Sequence, residues 1–174
     1  DPVQLGAMTA ATGVAIHGLS DWMDAVEKSI DAAVAKGAVA LKCAMAYERS
    51  IHFPKTAYAD AEAAFKRLYG IPYGSDVGPV NAGMGRIVED FMMHHVCRLA
   101  DKRGLTFQIH TGIQEGSGNV LANSNPELLT NLFLEYKNVV FDIFHMSYPY
   151  EHVLSAIAKN FANVNIDMCW AHIV

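Results

Sequence analysis

The alternation of apolar and polar positions divides this chain into helical and extended segments that take turns. Residues 20–36 place Trp22, Val26, Ile30 and Ala33 on one helical face; Ser20 or Asp21 is the candidate cap, and Gly37 lies just past the end. The residues before them read as an irregular opening. The short apolar run AVALKCAMAY reads as a strand ending near Lys42 to Ala44. Residues 56–69 return to the helical pattern, with Tyr58, Ala61, Phe65, Leu68 and Tyr69 on one side and Gly70 as the stop. IPYGSDVGPVNAGMG, rich in glycine and proline, reads as a loop. Its GMG lacks the third glycine and the preceding strand of a dinucleotide fingerprint.

From Arg86 to about Arg103, Val88, Phe91, Met92, His95, Val96 and Leu99 recur at helical spacing, and Gly104 ends the run. The strand LTFQIH follows at once. Asn125-Pro126-Glu127 has the form of a helix start, a cap followed by proline and an acid in the first turn, and leads a face of Leu129, Leu132, Phe133 and Tyr136. NVVFDIFH is the next strand, YPYEHVLSAIAKNF the next helix, and NVNIDMCW a last strand ending near Asp167. The order α-β-α-α-β-α-β-α-β predicts an α/β fold of parallel strands with right-handed crossovers, either a doubly wound sheet or a β/α barrel.

Side-chain alternation favours the barrel. If His110 faces inward, Gln108 and Thr106 do too, and three polar groups on one face suit a barrel lumen better than a helix-packed surface. By the same count Lys42 shares its face with Ala40, and Asp167 with Asn165.

Composition narrows the function classes. At 174 residues, 52% hydrophobic and 18% charged, the chain is one domain with a compact interior whose surface is small or covered by other protein. A net charge of -5, with lysines and arginines scattered singly, excludes a nucleic-acid partner. Three cysteines without a CxxC pair argue against a disulfide framework and for a reducing, cytoplasmic setting. The first residues lack the pattern of a signal peptide and no apolar run of about 18 residues appears, so no membrane partner is expected. The chain starts at Asp1 rather than Met and stops just after a strand-like segment, and so reads as a piece of something longer.

The candidate chemistry gathers at strand ends. His110 and His145 each close an apolar run, about one strand-helix-strand unit apart, which puts both at the carboxyl edge of a parallel sheet where ligands and metals collect. Lys42 and Asp167 end two further strands. Imidazoles and carboxylates are ligands of catalytic zinc; a lysine joins as a carbamate or as a cation for substrate. Blander roles stand beside these: a structural hydrogen bond for either histidine, pairing with an acid such as Glu48 for Lys42, and a cap of the following segment for Asp167. His94 and His95 lie mid-helix, where core packing is expected; His17, His52 and His152 are singletons, and His172 follows a strand end. All three cysteines read as buried packing thiols. The loop TGIQEGSGNV suits a lid, with Glu115 as a substrate contact, and Tyr148 and Tyr150 flank Pro149 where a substrate would lie.

The segments ALKCAMAYER, FQIHTG, NSNPELLTNL, FHMSYPY and VNIDMCWAH, spanning nearly everything after residue 38, resemble the amidohydrolase superfamily, in the amidohydrolase-related (amidohydrolase 2) group that includes decarboxylases and uronate-isomerase-like proteins. The chain is also similar to the amidohydrolase-like domain joined to glutamine-synthetase-like domains in some larger proteins. The resemblance implies a (β/α)8 TIM barrel with one or two divalent metals, zinc first and manganese second. His110 matches the family's fifth-strand histidine and His145 its sixth-strand histidine, both metal or substrate ligands. Lys42 falls near the fourth strand, where many members hold a bridging carbamylated lysine or a glutamate; Asp167 would lie on strand seven, not at the eighth-strand aspartate. The first-strand His-x-His pair is absent, and four strands cannot close a barrel of about 250 residues. A partial barrel, the middle and later part of the whole, is therefore expected, completed by strands of the same or another chain, with a homo-oligomer as one form.

The expected function is a metal-dependent hydrolase whose metal-bound water attacks the carbonyl of an amide, ester or lactone in a small carboxylate-bearing substrate. Lys42, His145 and Asp167 are its expected catalytic residues, His110, His145 and Lys42 its metal ligands, and Glu115, Tyr148, Tyr150 and His172 its substrate contacts. The alternatives are a decarboxylase or uronate-isomerase-like enzyme on the same scaffold, and a non-catalytic ligand-binding or scaffold barrel.

Overall fold

Four short strands, β1 (Ala40–Cys43), β2 (Thr106–Ile109), β3 (Phe141–Ile143) and β4 (Val164–Ile166), form one sheet in which every neighbouring pair is parallel and the spatial order follows the chain. These come from a computed structural model that describes residues 2–71, 78–171 and 173. A doubly wound sheet reverses its strand order at a switch point, whereas strands laid down in sequence are the arrangement of a β/α barrel arc. The chain is accordingly α/β, a partial (β/α)8 barrel of parallel strands with helices outside.

The register separates two faces. Leu41, Phe107, Phe141 and Val164 align in one row, and Cys43, Ile109, Ile143 and Ile166 in the next. Phe107, Ile109, Phe141, Ile143 and Val164 of these rows are buried. On the other face Lys42, Gln108, Asp142 and Asn165 stand level across all four strands, and none of them is buried. The alternation expected for Gln108 and His110 thus extends to an entire polar row.

The chain divides into two compact units, residues 1–38 with 54–96 and residues 39–53 with 97–174. The second holds the sheet, α5 (Thr130–Glu135), α6 (Glu151–Asn160) and the last turns of the long helix α4 (Gly78–Arg103). Gly104 ends α4 at φ 63, and Leu105 donates to the carbonyl of Ala100, turning the chain straight into β2. Asn125 accepts from the Glu127 N–H at 3.0 Å, the predicted cap, although the turn it opens is a 3-10 turn before α5 begins. Phe133 of α5 meets the rings of Phe141 and Phe161 at 5.1 and 5.8 Å. The first unit holds α1 (Pro2–Thr12), α2 (Leu19–Ala35), α3 (Tyr58–Leu68) and the start of α4, around Ile16, Leu19, Ala25, Ala61, Phe65, Phe91 and Met92.

Three expectations fail here. The opening is helical: PVQLGAMTAAT lacks a full apolar stripe, but its alanines, methionine and leucine favour a helix by propensity, and Leu5 and Met8 pack against the core. The cap of α2 is Gly18 rather than Ser20 or Asp21; Asp21 instead accepts from the backbone N–H groups of His17 and Gly18 at 2.9 and 3.1 Å. The glycine-rich stretch is helix from Gly78 onward, continuous with the part of α4 that packs from Ile87 and Val88 on, despite a propensity cost of about 1 kcal/mol for each interior glycine. The earlier part of that expected loop, 72–77, lies outside the described residues. No helix among the described residues is long and apolar enough to cross a membrane.

Phe133→Ala removes a ring that is 1% exposed and in contact with two others. We expect a loss of about 3–5 kcal/mol in urea unfolding of the intact protein.

Candidate active site

His110 leaves β2 without leaving the ladder: its backbone N–H donates to the carbonyl of Cys43 at 2.9 Å. Alternation then carries its imidazole to the polar face, one layer above Gln108. There the ring is buried, with Tyr47 and His145 each at a centroid distance of 4.6 Å.

His145 arrives by another route. Continuing the register from Ile109 and Ile143 sets Phe144, not His145, level with His110. The two histidines are therefore not at equivalent strand positions, and a regular strand would turn His145 to the opposite face. A left-handed turn corrects this: His145, Met146 and Ser147 have φ of 62, 49 and 56. Such a conformation costs about 1–2 kcal/mol per non-glycine residue, so it must be held in place. The Thr111 hydroxyl donates to the Phe144 carbonyl at 2.8 Å, which leaves the Ser147 hydroxyl to donate to Thr111 Oγ1 at 2.7 Å. Met146 N–H donates to the Asp167 carbonyl and Ile113 N–H to that of Tyr148. Gly112 lies so close beneath that a Cβ there would overlap the carbonyl carbon of Ser147 and the oxygen of Tyr148. The Tyr148-Pro149 peptide bond is cis.

The hydrogen bonds at the outer edges of the two rings decide what faces inward. His110 Nε2 lies 3.0 Å from the Ile113 carbonyl, and His145 Nδ1 lies 2.7 Å from that of Cys169. Carbonyl oxygens only accept, so each of these nitrogens carries the proton and, in neutral rings, the other nitrogen is bare. Those bare nitrogens, His110 Nδ1 and His145 Nε2, face each other at 3.3 Å. Two lone pairs at that distance call for a cation between them, a proton or a metal ion. Burial first, and then the neighbouring imidazole of His145, push His110 down to about 4, against the pull of the Ile113 carbonyl.

Lys42 lies one layer deeper. Its Nζ is 2.8 Å from the centroid of the Phe144 ring. Burial lowers its pKa, opposed by the negative charges of Asp167 and then Asp142. Those acids, rather than the neighbouring Glu48, are the charges that act on it. Asp142 accepts from Gln108 Nε2 at 2.9 Å. Asp167 accepts the Cys169 N–H at 2.7 Å, the capping role weighed for it from sequence.

His110, His145, Lys42 and Asp167 thus belong to one region of the sheet edge. Glu115 is exposed, its N–H 3.4 Å from the Tyr47 hydroxyl that stands by His110. Tyr148 contributes its carbonyl to the turn, with a 39% exposed side chain, and Tyr150 is the N-cap of α6. His172 lies outside the described residues. Among the cysteines, Cys43 and Cys97 are buried as expected, but Cys169 is half-buried and places its backbone against His145. Both His94 and His95 are buried in α4. Asp142, Phe144 and Tyr47 were not singled out from sequence; an aspartate inside the apolar run VVFDIF was the available signal for the first. Among the described residues no three His, Cys, Asp or Glu side chains converge on one ion-sized position.

Two outcomes follow from this geometry. Gly112→Ala should destabilise the protein by roughly 2–5 kcal/mol in urea unfolding; Gly118→Ala, also at positive φ but with open space around it, should cost only about 1 kcal/mol. The second concerns acid. His110 takes its proton at about 4 when folded against 6.5 for the free side chain, so between those values the unfolded chain binds more protons. The resulting stability is present above about 6.5 and is lost, by up to about 3 kcal/mol, as the pH falls through 4. Urea midpoints across that window should drop in the native protein and flatten in His110→Asn.

No family model matches the chain. Protein fluG of Emericella nidulans is 38% identical over 61 residues, which are 35% of this chain and 7% of that protein. A candidate metal-dependent hydrolase from Lactobacillus casei ATCC 334 superposes with a TM-score of 0.72 at 20% identity, over 94% of this chain and 42% of that one. Uronate isomerase from Thermotoga maritima superposes with a TM-score of 0.71 at 16% identity, over 94% of this chain and 38% of that one. The chain therefore spans about two-fifths of each solved structure and a small fraction of fluG. What it shares with the two solved structures is the fold, a TIM-barrel-like arrangement of parallel strands and outer helices.

Proposed function

We propose that this chain carries the histidine side of the active site of a metal-dependent hydrolase of the amidohydrolase type, in the amidohydrolase-related group. One observation carries the reading: two bare imidazole nitrogens 3.3 Å apart, each kept bare by a carbonyl that accepts a hydrogen bond from the N–H on the other side of its ring. Two nitrogens sharing one tetrahedral zinc lie about 3.3–3.4 Å apart, given bonds of about 2.05 Å, so the pair suits a single ion. Imidazole donors favour zinc, with manganese as the second choice. When bound, such an ion polarises a carbonyl and activates water for its attack.

The chain's own groups have distinct tasks in this reading. His110 and His145 would hold the ion; burial keeps His110 neutral, the form a ligand needs. Lys42, its ammonium over the Phe144 ring and under the charges of Asp167 and Asp142, receives the carboxylate of a small amide, ester or lactone substrate; the burial that lowers its pKa also favours the neutral amine that carbamylation needs, the alternative that would make it a metal ligand. Glu115, Tyr148, Tyr150 and His172 are the proposed substrate contacts. A catalytic zinc takes three protein ligands, so the reading requires further ligands and barrel strands from the same or another polypeptide, including a second copy of this chain. Three unpaired cysteines favour a cytoplasmic setting. The similarity in fold to uronate isomerase supports a second reading, sugar-acid isomerisation with Lys42 on the carboxylate.

Elemental analysis of the intact protein should find about one zinc or manganese per chain, with His110→Ala and His145→Ala each reducing it at least tenfold. Full metal retention in both variants, or none in the native protein, overturns the proposal. If metal is present, turnover of lactones and esters against a uronate separates the hydrolase from the isomerase.

A further inference from the structure

Asp167 follows β4 and ties down three separate points. Its N–H donates to the Ile143 carbonyl at 2.9 Å, and its carbonyl accepts from Met146 N–H at 2.8 Å, inside the left-handed turn. Its Oδ1 accepts the N–H of Cys169 at 2.7 Å, closing a turn of the kind aspartate and asparagine make with the backbone two residues on. The same turn delivers the carbonyl of Cys169 to His145 Nδ1 at 2.7 Å. A chain of contacts thus runs from the carboxylate through one residue of backbone to the imidazole, and its last link determines which nitrogen of His145 carries the proton.

We propose that Asp167 is a positioning residue for His145: through the Cys169 backbone its side-chain oxygen holds the imidazole as the Nδ1–H tautomer and keeps Nε2 bare toward His110. This replaces the catalytic role expected for Asp167 from sequence. The chemistry needed is that of a hydrogen-bond acceptor and not of a base. Oδ1 is already engaged with an N–H, and the charge of the carboxylate acts on Lys42, a separate matter from the tautomer. The contact is made by the backbone carbonyl of Cys169 and not by its half-buried thiol. Metal-site histidines are commonly oriented by a carbonyl or carboxylate on the second ring nitrogen, and here the carbonyl is itself oriented by a carboxylate. The proposal rests on the metal-centre reading only for the use to which the bare Nε2 is put; the tautomer itself is independent of it.

The test is a two-bond proton–nitrogen correlation spectrum of the metal-free intact protein carrying [15N]histidine, with His145 assigned by its absence in His145→Gln. The native protein should show His145 protonated at Nδ1 alone in the neutral form. Asp167→Asn keeps an acceptor oxygen and removes the charge, and should retain that pattern. Asp167→Ala should lose it, with the Nε2–H form becoming populated. A native His145 protonated at Nε2, an Ala variant with the native pattern, or an Asn variant behaving like Ala each overturns the proposal, the last by showing that charge is what matters. Should the Ala variant fail to fold, the native and Asn spectra still decide. A protein that binds no metal would remove the proposed function and leave this measurement standing.

Discussion

The site depends on how closely two strand-end loops can nest. Gly112 lies where any side chain would strike the backbone of Ser147 and Tyr148, and only at that approach can the Thr111 hydroxyl reach the Phe144 carbonyl. The second loop must run left-handed through three residues that carry side chains, at a cost of about 1–2 kcal/mol each. Buried hydrogen bonds from Thr111, Ser147 and the backbone of Asp167 offset that cost, and Ser124 holds Gly112 from the other side through both its N–H and its carbonyl. The strain is local and has one consequence for chemistry. It turns His145 back to the face on which His110 already lies.

Strand order, strand positions and the polar inner face were legible because each rests on a periodicity. AVALKC, LTFQI, VVFDI and NVNI each alternate or run apolar over three or four residues, and the partner rows follow from parallel register. The approach of His110 to His145 was anticipated, but for a reason the register does not support. Alternation alone would send His145 to the helix side, and nothing in FHMSYP marks a left-handed turn, since none of its residues is glycine or asparagine. Asp142 is not marked by the strand-end pattern, because this acid sits one layer down, beside Gln108. The α1 helix and the 78–85 stretch were missed for opposite reasons: α1 has propensity without a full stripe, and 78–85 has a helical conformation despite its glycines.

The polar row sets this sheet apart from an ordinary parallel one. Parallel sheets are ordinarily buried on both faces and read as continuous apolar runs. Here the row of Lys42, Gln108, Asp142 and Asn165 interrupts every strand after one or two apolar residues, and the opposite face alone supplies the packing. Such a face gains little by burial. Its side chains are held by one another instead, through the Gln108–Asp142 hydrogen bond and through Lys42 resting on Phe144 under the field of two acids. One lysine thus faces two acids, Asp142 within the row and Asp167 just past β4.

The two histidines present different nitrogens, Nδ1 from His110 and Nε2 from His145, and the difference follows from their supports. His110 is on the ladder, so its Cβ position is set by the sheet, and the carbonyl that takes its proton, that of Ile113, comes from three residues further along the same loop. His145 is on a turn that the sheet does not fix, and its carbonyl comes from a different loop altogether, after β4. One ring is therefore oriented by local chain geometry and the other by tertiary contact. A disturbance of β4 or its following turn reaches His145 directly, through Cys169, and His110 only at one remove, through the Ile113 N–H that donates to Tyr148.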